Sequence, residues 1–361
     1  MRVLVTGSSG FVGQWMLPHL SGRGDDVVTF PDDLDLRNRD VLFPAVADAE
    51  AEGIIHLAAQ ASVGASWQDG AGTWEVNALG AVNLLDAAAA CSSPPRVLLV
   101  SSAEVYGALR NDELPVGEDH PFAPASPYAA SKAAAELAGV QAWLGRGLPV
   151  VRARPFNHTG PGQRPDFVVP GLARQVAEIA LRGGHELRTG NLAARRDITD
   201  VRDVVRAYRD LLVGGEAGGV YNVCRGTSVE IAALARRLIE LAGVDVRSVV
   251  DPARMRPVDQ PDLRGDPGRL MAATGWSPTI SIDQTLTDVL AYWRAQVAPV
   301  AVASGAVASA AVAFGQAHRP AQDLLGHDGG GPHGTLDLPT ADLRPLEAQN
   351  AQTDRGVGGV A

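Results

Sequence analysis

Tyr128 and Lys132 stand four positions apart, just after the turn at residues 124–127. At this spacing two side chains project from the same face of a helix. An ammonium group beside a phenol stabilises the phenolate, so Lys132 is predicted to lower the pKa of Tyr128 from about 10 toward the working pH. Such a tyrosine exchanges a proton with an alcohol or ketone oxygen while a hydride moves at the adjacent carbon. Because Tyr-x-x-x-Lys also occurs by chance on helix surfaces, the pair needs support from elsewhere in the chain.

Ser102 follows the strand-like apolar run at residues 97–101. Open α/β sheets bind their ligands at the carboxyl ends of the strands, and Ser102 is predicted to lie at that edge. Its hydroxyl could hydrogen-bond the same substrate oxygen as Tyr128. The three residues together predict a hydride-transfer site.

Three glycines, Gly7, Gly10 and Gly13, separate a predicted strand at residues 2–6 from a predicted helix at residues 11–20. Glycine permits a tight turn, lets the backbone approach a pyrophosphate and lets the helix pack close to the strand. The phosphates would then meet the free amides at the positive end of the helix. Because the spacing is GxxGxxG and not the commoner GxGxxG, a turn without a ligand is the alternative interpretation. The strand just before the turn favours a dinucleotide site.

Asp32 stands nineteen residues after Gly13, close to the predicted end of the second strand. An acidic side chain at this place accepts hydrogen bonds from an adenosine ribose, which favours NAD over NADP. Asp33, Asp35 and Arg37 follow closely, so the group that meets the ribose stays open. Any one of them could equally be a solvated turn residue.

Strand-like and helical segments alternate along the first half of the chain. Strands are predicted at residues 2–6, 27–30, 53–57, 97–101 and 148–152, and helices at residues 11–20, 76–90 and 128–144. This alternation predicts an α/β fold with a doubly wound parallel sheet of the Rossmann type. We expect a dinucleotide-binding domain over residues 1–154 and a smaller C-terminal substrate-binding domain over residues 155–294. Residues 197–224 could return to the main sheet.

The composition restricts the class of partner. The chain has 361 residues, of which 46% are apolar, and its formal net charge is −10. Nucleic acid and anionic membranes need basic surface, so neither is expected, and Cys91 and Cys224 lack metal-type spacing. Both cysteines are predicted to be reduced, as in a cytoplasmic protein. Residues 295–361, rich in Ala, Gly, Pro and Val, predict a disordered tail, with a membrane span at residues 297–314 as the alternative.

Several motifs carry a resemblance to a known family. The turn TGSSGFVG at residues 6–13, HLAAQ at residues 56–60, Ser102, and the pair of Tyr128 and Lys132 resemble the extended short-chain dehydrogenase/reductase family. The motif RPFNHTGPGQ at residues 154–163 is similar to one branch of this family, which contains GDP-mannose 4,6-dehydratases and GDP-6-deoxy-4-keto-mannose reductases. The later blocks at residues 190–205, 251–257 and 274–276 look more like the reductases. The resemblance covers residues 1–294.

This resemblance implies a role for individual residues. Ser102, Tyr128 and Lys132 would form the catalytic triad, with Lys132 also holding the nicotinamide ribose. Residues that would contact NAD(P)H are Gly7, Gly10, Phe11, Val12, Gly13, Asp32, Asp35, Leu36, Leu57, Ala58, Ala59, Tyr128 and Lys132.

The substrate implied by the resemblance is a GDP-linked sugar. Asn157, Arg196 and Arg256 would hold it, with the arginines on the diphosphate, because a guanidinium offers paired donors to phosphate. A surface ion pair is the alternative for either arginine. Asn77 would support the helix geometry beside the triad, unless it simply lies on a helix surface. A homodimer would be built from the helices at residues 76–90 and 128–144.

Reductases and dehydratases of this branch share the fold, the cofactor site and the triad. Dehydration takes a proton from C5 and expels the C6 hydroxyl, which needs a further acid/base group. Glu104 occupies the position where dehydratases carry such a glutamate, but reductases can keep an acid there too. Because the later blocks cover more residues, we expect reduction of the C4 ketone of GDP-4-dehydro-6-deoxy-D-mannose to GDP-D-rhamnose. A GDP-mannose 4,6-dehydratase, another nucleotide-sugar epimerase or dehydratase, or a non-catalytic dinucleotide-binding sensor are the alternatives.

Overall fold

The computed structural model describes residues 1–255 and 260–298. The elements of its first half are β1 (Arg2–Thr6), α1 (Phe11–Gly22), β2 (Asp26–Thr29), α2 (Arg39–Asp48), β3 (Gly53–His56), α3 (Val63–Ser66), α4 (Gly70–Trp74), α5 (Gly80–Ala90), β4 (Arg96–Val100), α6 (Pro127–Arg146) and β5 (Val150–Pro155). The elements of its second half are β6 (Asn157–Thr159), α7 (Val168–Arg182), β7 (Glu186–Thr189), β8 (Arg195–Arg196), β9 (Ile198–Asp200), α8 (Val201–Gly214), β10 (Val220–Val223), β11 (Val229–Glu230), α9 (Ile231–Ala242), β12 (Arg247–Val250), β13 (Asp262–Leu263), α10 (Gly268–Thr274) and α11 (Ile282–Val297).

Six parallel strands form the central sheet in the order β10-β5-β4-β3-β1-β2. The inner strands are short apolar runs that are buried on both faces, as parallel strands covered by helices must be. The chain leaves β1 toward β2 and then crosses back to β3. The loops after β1 and β3 therefore lie side by side at the switch point, where such sheets bind ligands. The predicted doubly wound fold is confirmed.

Two hydrophobic cores hold the helices against the sheet. On one face, side chains of α1, α8 and α10 pack against the strands, and Met16, Tyr208 and Trp276 are among the large buried residues there. On the other face, α2, α5 and α6 cover the sheet, with Leu42, Leu84 and Ala135 in their core. Residues 197–224 contain α8 and β10. The strand β10 is part of the central sheet, and α8 packs against one face of it.

The remaining elements form a smaller helical layer with short sheets. A third core joins α7, α9 and α11 through Val176, Leu238 and Val289. The short sheets pair β6 with β9, β7 with β12, and β8 with β11 and β13. The helix α11 includes residues 295–297, and from residue 299 onward the predicted tail lies outside the described residues. No helix within residues 1–255 and 260–298 is long and apolar enough to cross a membrane.

Candidate active site

The glycine turn between β1 and α1 allows an approach that no larger residue permits. Gly7 has φ +69, and a Cβ on it would lie 2.6 Å from the Ala58 backbone nitrogen. A Cβ on Gly13 would lie 2.3 Å from the Ser8 carbonyl oxygen. Gly10 is the N-cap of α1 and offers no side chain to the helix amides. The first turn of α1 therefore presents its amides and positive dipole end to an anion.

A polar contact ties this turn to the loop after β3. The Thr6 hydroxyl lies 2.8 Å from His56 Nδ1 and accepts a hydrogen bond from the Ala58 amide at 3.3 Å. Because that amide donates to Thr6 Oγ1, the hydroxyl proton is free to point at His56. Burial lowers the pKa of His56 to about 3, and the charge of Lys132 acts in the same direction. His56 is therefore neutral and fixes the two loops together.

The predicted cofactor residues of these two loops line one edge of the sheet. Their side chains are half-buried, and they follow the carboxyl ends of β1 and β3 in the positions that the sequence predicts: Phe11, Val12, Leu57, Ala58 and Ala59. The ring of Phe11 stacks on that of His158 with centroids 6.3 Å apart. This stack connects the start of α1 to the strand β6.

The acidic loop after β2 is only partly available to a ribose. Asp32 is exposed, whereas Asp35 receives a bidentate guanidinium from Arg37, which lowers the pKa of Asp35. Arg37 also donates to Glu75 at 3.1 Å. Leu36 is turned into the core between α2 and α5. Asp32 and Asp33 are thus exposed acids of this loop, and Asp35 is the one that Arg37 engages.

Ser102, Tyr128 and Lys132 come together where β4 ends and α6 begins. Ser102 is 7%, Tyr128 9% and Lys132 6% exposed. The Ser102 hydroxyl accepts a hydrogen bond from the Glu104 amide at 3.2 Å, and it lies near enough to the Tyr128 phenol to act on its pKa. Lys132 Nζ donates to the Val100 carbonyl at 2.7 Å. The structure therefore brings the predicted triad into one buried site.

The predicted lowering of the Tyr128 pKa is wrong in this structure. Burial raises the pKa of Tyr128 to about 12, the charge of Glu104 raises it further, and only the hydrogen bond to Ser102 lowers it. Burial also lowers the pKa of Lys132 to about 8. The physical reason is that the lysine ammonium is directed at a backbone carbonyl while the phenol loses water. Tyr128 consequently holds its proton throughout the physiological pH range.

Asn77 lies in a π-helical turn, Glu75–Leu79, that leads into α5. Its amide nitrogen donates to Ser131 Oγ at 3.0 Å and to the Gln60 carbonyl at 3.1 Å, and its oxygen accepts the Gln60 amide at 2.8 Å. Ser131 in turn donates to the Tyr128 carbonyl at 2.8 Å. Asn77 is therefore buried and supports the first turn of α6, instead of lying on a helix surface.

The first of the predicted substrate residues lies in β6, the strand that follows β5 in the chain. Asn157 starts β6, and its side-chain oxygen is buried without a hydrogen-bond partner in the described chain. Arg196 is 9% exposed and donates to the carbonyls of Arg195 and Gln260 at 2.8 and 2.6 Å. Arg196 is thus not a surface side chain. Arg256 lies outside the described residues.

These residues fit a dinucleotide. The uncapped amides of α1 suit a pyrophosphate, and the open carboxylate of Asp32 suits a ribose. Glu104 is half-buried beside the triad and within electrostatic range of Tyr128. The site can therefore hold a hydride donor next to a protonated tyrosine.

Comparison with known proteins agrees with this geometry. The GDP-mannose 4,6 dehydratase family model matches residues 32–289. The chain is 41% identical over 303 residues to GDP-6-deoxy-D-mannose reductase of Pseudomonas aeruginosa, covering 82% of this chain and 98% of that one. It is 30% identical over 276 residues to GDP-mannose 4,6 dehydratase 2 of Caenorhabditis elegans, covering 71% and 72%.

Solved structures resemble it as well. The structure of RMD from Pseudomonas aeruginosa complexed with NADPH superimposes with a TM-score of 0.76 at 38% identity, covering 82% of this chain and 100% of that one. The UDP-glucose 4-epimerase of Thermus thermophilus in complex with NAD gives a TM-score of 0.73 at 32% identity, with the same coverage.

The sheet order, the glycine turn and the Ser-Tyr-Lys set are those of a dinucleotide-dependent oxidoreductase. The chain belongs to the GDP-mannose 4,6-dehydratase family of extended short-chain dehydrogenases/reductases, and the resemblance predicted from its motifs is confirmed. It is a homologue of GDP-6-deoxy-D-mannose reductase and a nucleotide-sugar-modifying enzyme.

Two polar contacts that support the site were not predicted from the sequence. One is the link between Thr6 and His56, whose signal is a polar residue at the end of each of two neighbouring strands. The other is Glu136, which follows Lys132 by one further helical turn and pairs with Arg154. Its spacing after Tyr128 and Lys132 could have indicated a third functional position on that face.

Gly13→Ala should weaken cofactor binding on the order of tenfold or more, because the new methyl group would force α1 away from the Ser8 carbonyl. Fluorescence titration with NADH and NADPH measures the change. Gly22→Ala, at the other end of α1, is the matched control, since a Cβ there meets nothing within 4 Å. If both variants bound the cofactor with equal affinity, the glycine turn before α1 could not be the binding site for its phosphates.

The pH dependence should show the titration of Lys132. With a pKa of about 8, its positive charge is present below that pH and is lost above it. Because kcat/KM for the reduced cofactor reports groups of the free enzyme, it should decline as pH rises through about 8. Steady-state rates at saturating sugar check this. A profile that stays flat up to about pH 9.5 would rule out a titrating Lys132 as the cofactor-binding group.

Proposed function

We propose that the protein reduces the C4 ketone of a GDP-4-keto-6-deoxyhexose, turning GDP-4-dehydro-6-deoxy-D-mannose into GDP-D-rhamnose. The observation that carries the proposal is the complete, buried set of Ser102, Tyr128 and Lys132 in a chain 41% identical to a GDP-6-deoxy-D-mannose reductase. A non-catalytic sensor would have no use for this set. The dinucleotide, when bound, supplies the hydride.

The residues of the chain then have separate tasks. Ser102 donates a hydrogen bond to the C4 carbonyl and fixes its orientation beside Tyr128. Tyr128 gives its proton to the oxygen as charge develops there, and its raised pKa means that the proton is present at neutral pH. Lys132, held by the Val100 carbonyl, places a positive charge next to the site and holds the nicotinamide ribose. Asn157, Arg196 and Arg256 hold the nucleotide-sugar, the arginines on its diphosphate.

Glu104 is the feature that favours the alternative, a GDP-mannose 4,6-dehydratase. Its carboxylate is half-buried beside the triad, and its charge raises the pKa of Tyr128, so a second acid/base group is at hand for dehydration. In a reductase the same carboxylate would have another role. Its negative charge raises the pKa of Tyr128 and so helps to keep the proton on that residue. Conversion of GDP-mannose itself to the keto sugar would support the dehydratase.

The loop after β2 bears on the choice between NADH and NADPH. The guanidinium of Arg37 is already engaged by Asp35 and Glu75, and Asp32 is open. A 2′-phosphate would meet negative charge here, so the loop supports NADH, although the similar reductase structure from Pseudomonas aeruginosa holds NADPH. We also place the protein in the cytoplasm, in agreement with the free thiols of Cys91 and Cys224.

Tyr128→Phe should lower kcat on the order of 100-fold or more, since the proton donor is lost, while the Kd for the cofactor changes less than about threefold. The assay follows oxidation of NADH or NADPH with the 4-keto-6-deoxy sugar. Tyr292→Phe, on the distant helix α11, is the matched control and should keep full activity. A fully active Tyr128→Phe would refute the assignment.

We also propose that the protein forms a homodimer through α5, α6 and the segment before α5. Trp74, Leu79, Leu137 and Leu144 are exposed there. Such a grouped apolar surface is typical of an interface. Leu137→Glu should shift the protein to a monomer in sedimentation equilibrium, because the carboxylate would be buried unpaired. Leu181→Glu, an exposed leucine on α7, is the control and should leave the mass unchanged; a monomeric wild-type protein would contradict the proposal.

A further inference from the structure

Glu136 and Arg154 form a buried ion pair next to the active site. Glu136 is 0% and Arg154 4% exposed. Arg154 Nε lies 3.0 Å from both carboxylate oxygens, and one terminal nitrogen lies 2.6 Å from Glu136 Oε1. Arg152 adds a third, longer contact at 3.3 Å. Such a fork-like arrangement fixes direction as well as distance between its partners.

The same guanidinium reaches the segment that follows Ser102. Arg154 lies over the rings of Tyr106 and Phe122, 4.9 Å from each centroid. It donates to the Tyr106 hydroxyl at 3.0 Å and to the Glu118 carbonyl at 2.9 Å. Tyr106 in turn donates to Asn222, on the neighbouring strand β10, at 2.6 Å. Arg154 is therefore held by contacts with α6, with the segment after Ser102 and with the Glu118 carbonyl.

The position of Glu136 on its helix gives the pair its relevance to catalysis. Tyr128, Lys132 and Glu136 follow each other at intervals of four residues on α6, so they lie on one face, about 6 Å apart along the axis. Arg154 lies near the end of β5, three residues before Asn157, the first residue of β6. Tyr106 ends the short helical turn that starts directly after Ser102.

We propose that Glu136 and Arg154 are positioning residues that set the rotation and axial position of α6 relative to Ser102 and Asn157. Glu136 belongs to the helix that carries Tyr128 and Lys132, and Arg154 joins it to Tyr106 in the segment after Ser102. A hydrophobic pair could fill the same space, but it would permit α6 to rotate and slide, because apolar contacts are not directional. The charged pair keeps the Tyr128 hydroxyl within reach of the substrate oxygen shared with Ser102.

The test compares Glu136→Gln and Arg154→Lys with the wild-type enzyme. Both changes keep the approximate shape of the side chain but lose the bidentate charged contact. We expect kcat to fall about 10- to 100-fold, as for a small misplacement of reacting groups, while KM for the sugar and Kd for the cofactor stay within about threefold. The double variant Glu136→Gln/Arg154→Lys should lose no more kcat than the worse single variant, because the residues act as a unit.

Two control variants distinguish positioning from general loss of stability. Arg146→Gln breaks an ion pair between the distal end of the same helix and Asp86 and should leave kcat unchanged. Leu286→Ala opens the core of α7, α9 and α11, so it should lower the melting temperature with little effect on kcat. Wild-type kcat in Arg154→Lys would overturn the proposal. This variant decides the question on its own if Glu136→Gln yields no folded protein.

The kinetic assay rests on the proposed function, so a second measurement is independent of the sugar. Amide hydrogen exchange of the peptide covering residues 127–136 should be faster in Arg154→Lys and unchanged in Arg146→Gln. If the wild-type enzyme reduces no keto sugar, the proposed function fails. The exchange rates would still show whether Glu136 and Arg154 hold α6 in position. Equal exchange in Arg154→Lys and wild type would likewise refute the positioning role.

Discussion

The buried ammonium of Lys132 is the constraint around which the site is arranged. A charged lysine with 6% exposure is costly unless its donors find partners, and here Nζ donates to the carbonyl of Val100, the last residue of β4. The contact joins the catalytic helix to the carboxyl end of the central strand. Burial is the first cause of both pKa shifts, since it disfavours the ammonium of Lys132 and the phenolate of Tyr128 alike.

The parallel sheet supplies the second requirement. All six strands end at the same edge, so Thr6, His56 and Ser102, which are far apart in the chain, become neighbours there. Glycines at positions 7 and 13 let α1 and the loop after β3 approach more closely than any residue with a Cβ would allow. Asn77 and Ser131 then hold the first turn of α6 in place. Each support acts on backbone or on a neighbouring side chain, and none needs to touch the substrate.

Much of this arrangement follows from the sequence. Alternating apolar and helical segments predict the sheet, and local spacing predicts the glycine turn and the pair of Tyr128 and Lys132, since neighbours on one element are fixed by its period. The pKa of Tyr128 could not be predicted in this way. It depends on burial by distant segments and on where the Lys132 ammonium points, which sequence spacing leaves open. The ion pair of Glu136 and Arg154 is hidden for the same reason, because its partners lie on different elements.

In the proposed reaction this site moves a hydride onto C4 of a keto sugar. The direct measurement uses NADH and NADPH deuterated at the transferring position, with GDP-4-dehydro-6-deoxy-D-mannose as substrate, and locates the label by NMR. We expect deuterium at C4 of a GDP-6-deoxyhexose, with one cofactor oxidised for each sugar reduced. A product without label, or conversion of GDP-mannose to a keto sugar with no net cofactor oxidation, would contradict the account.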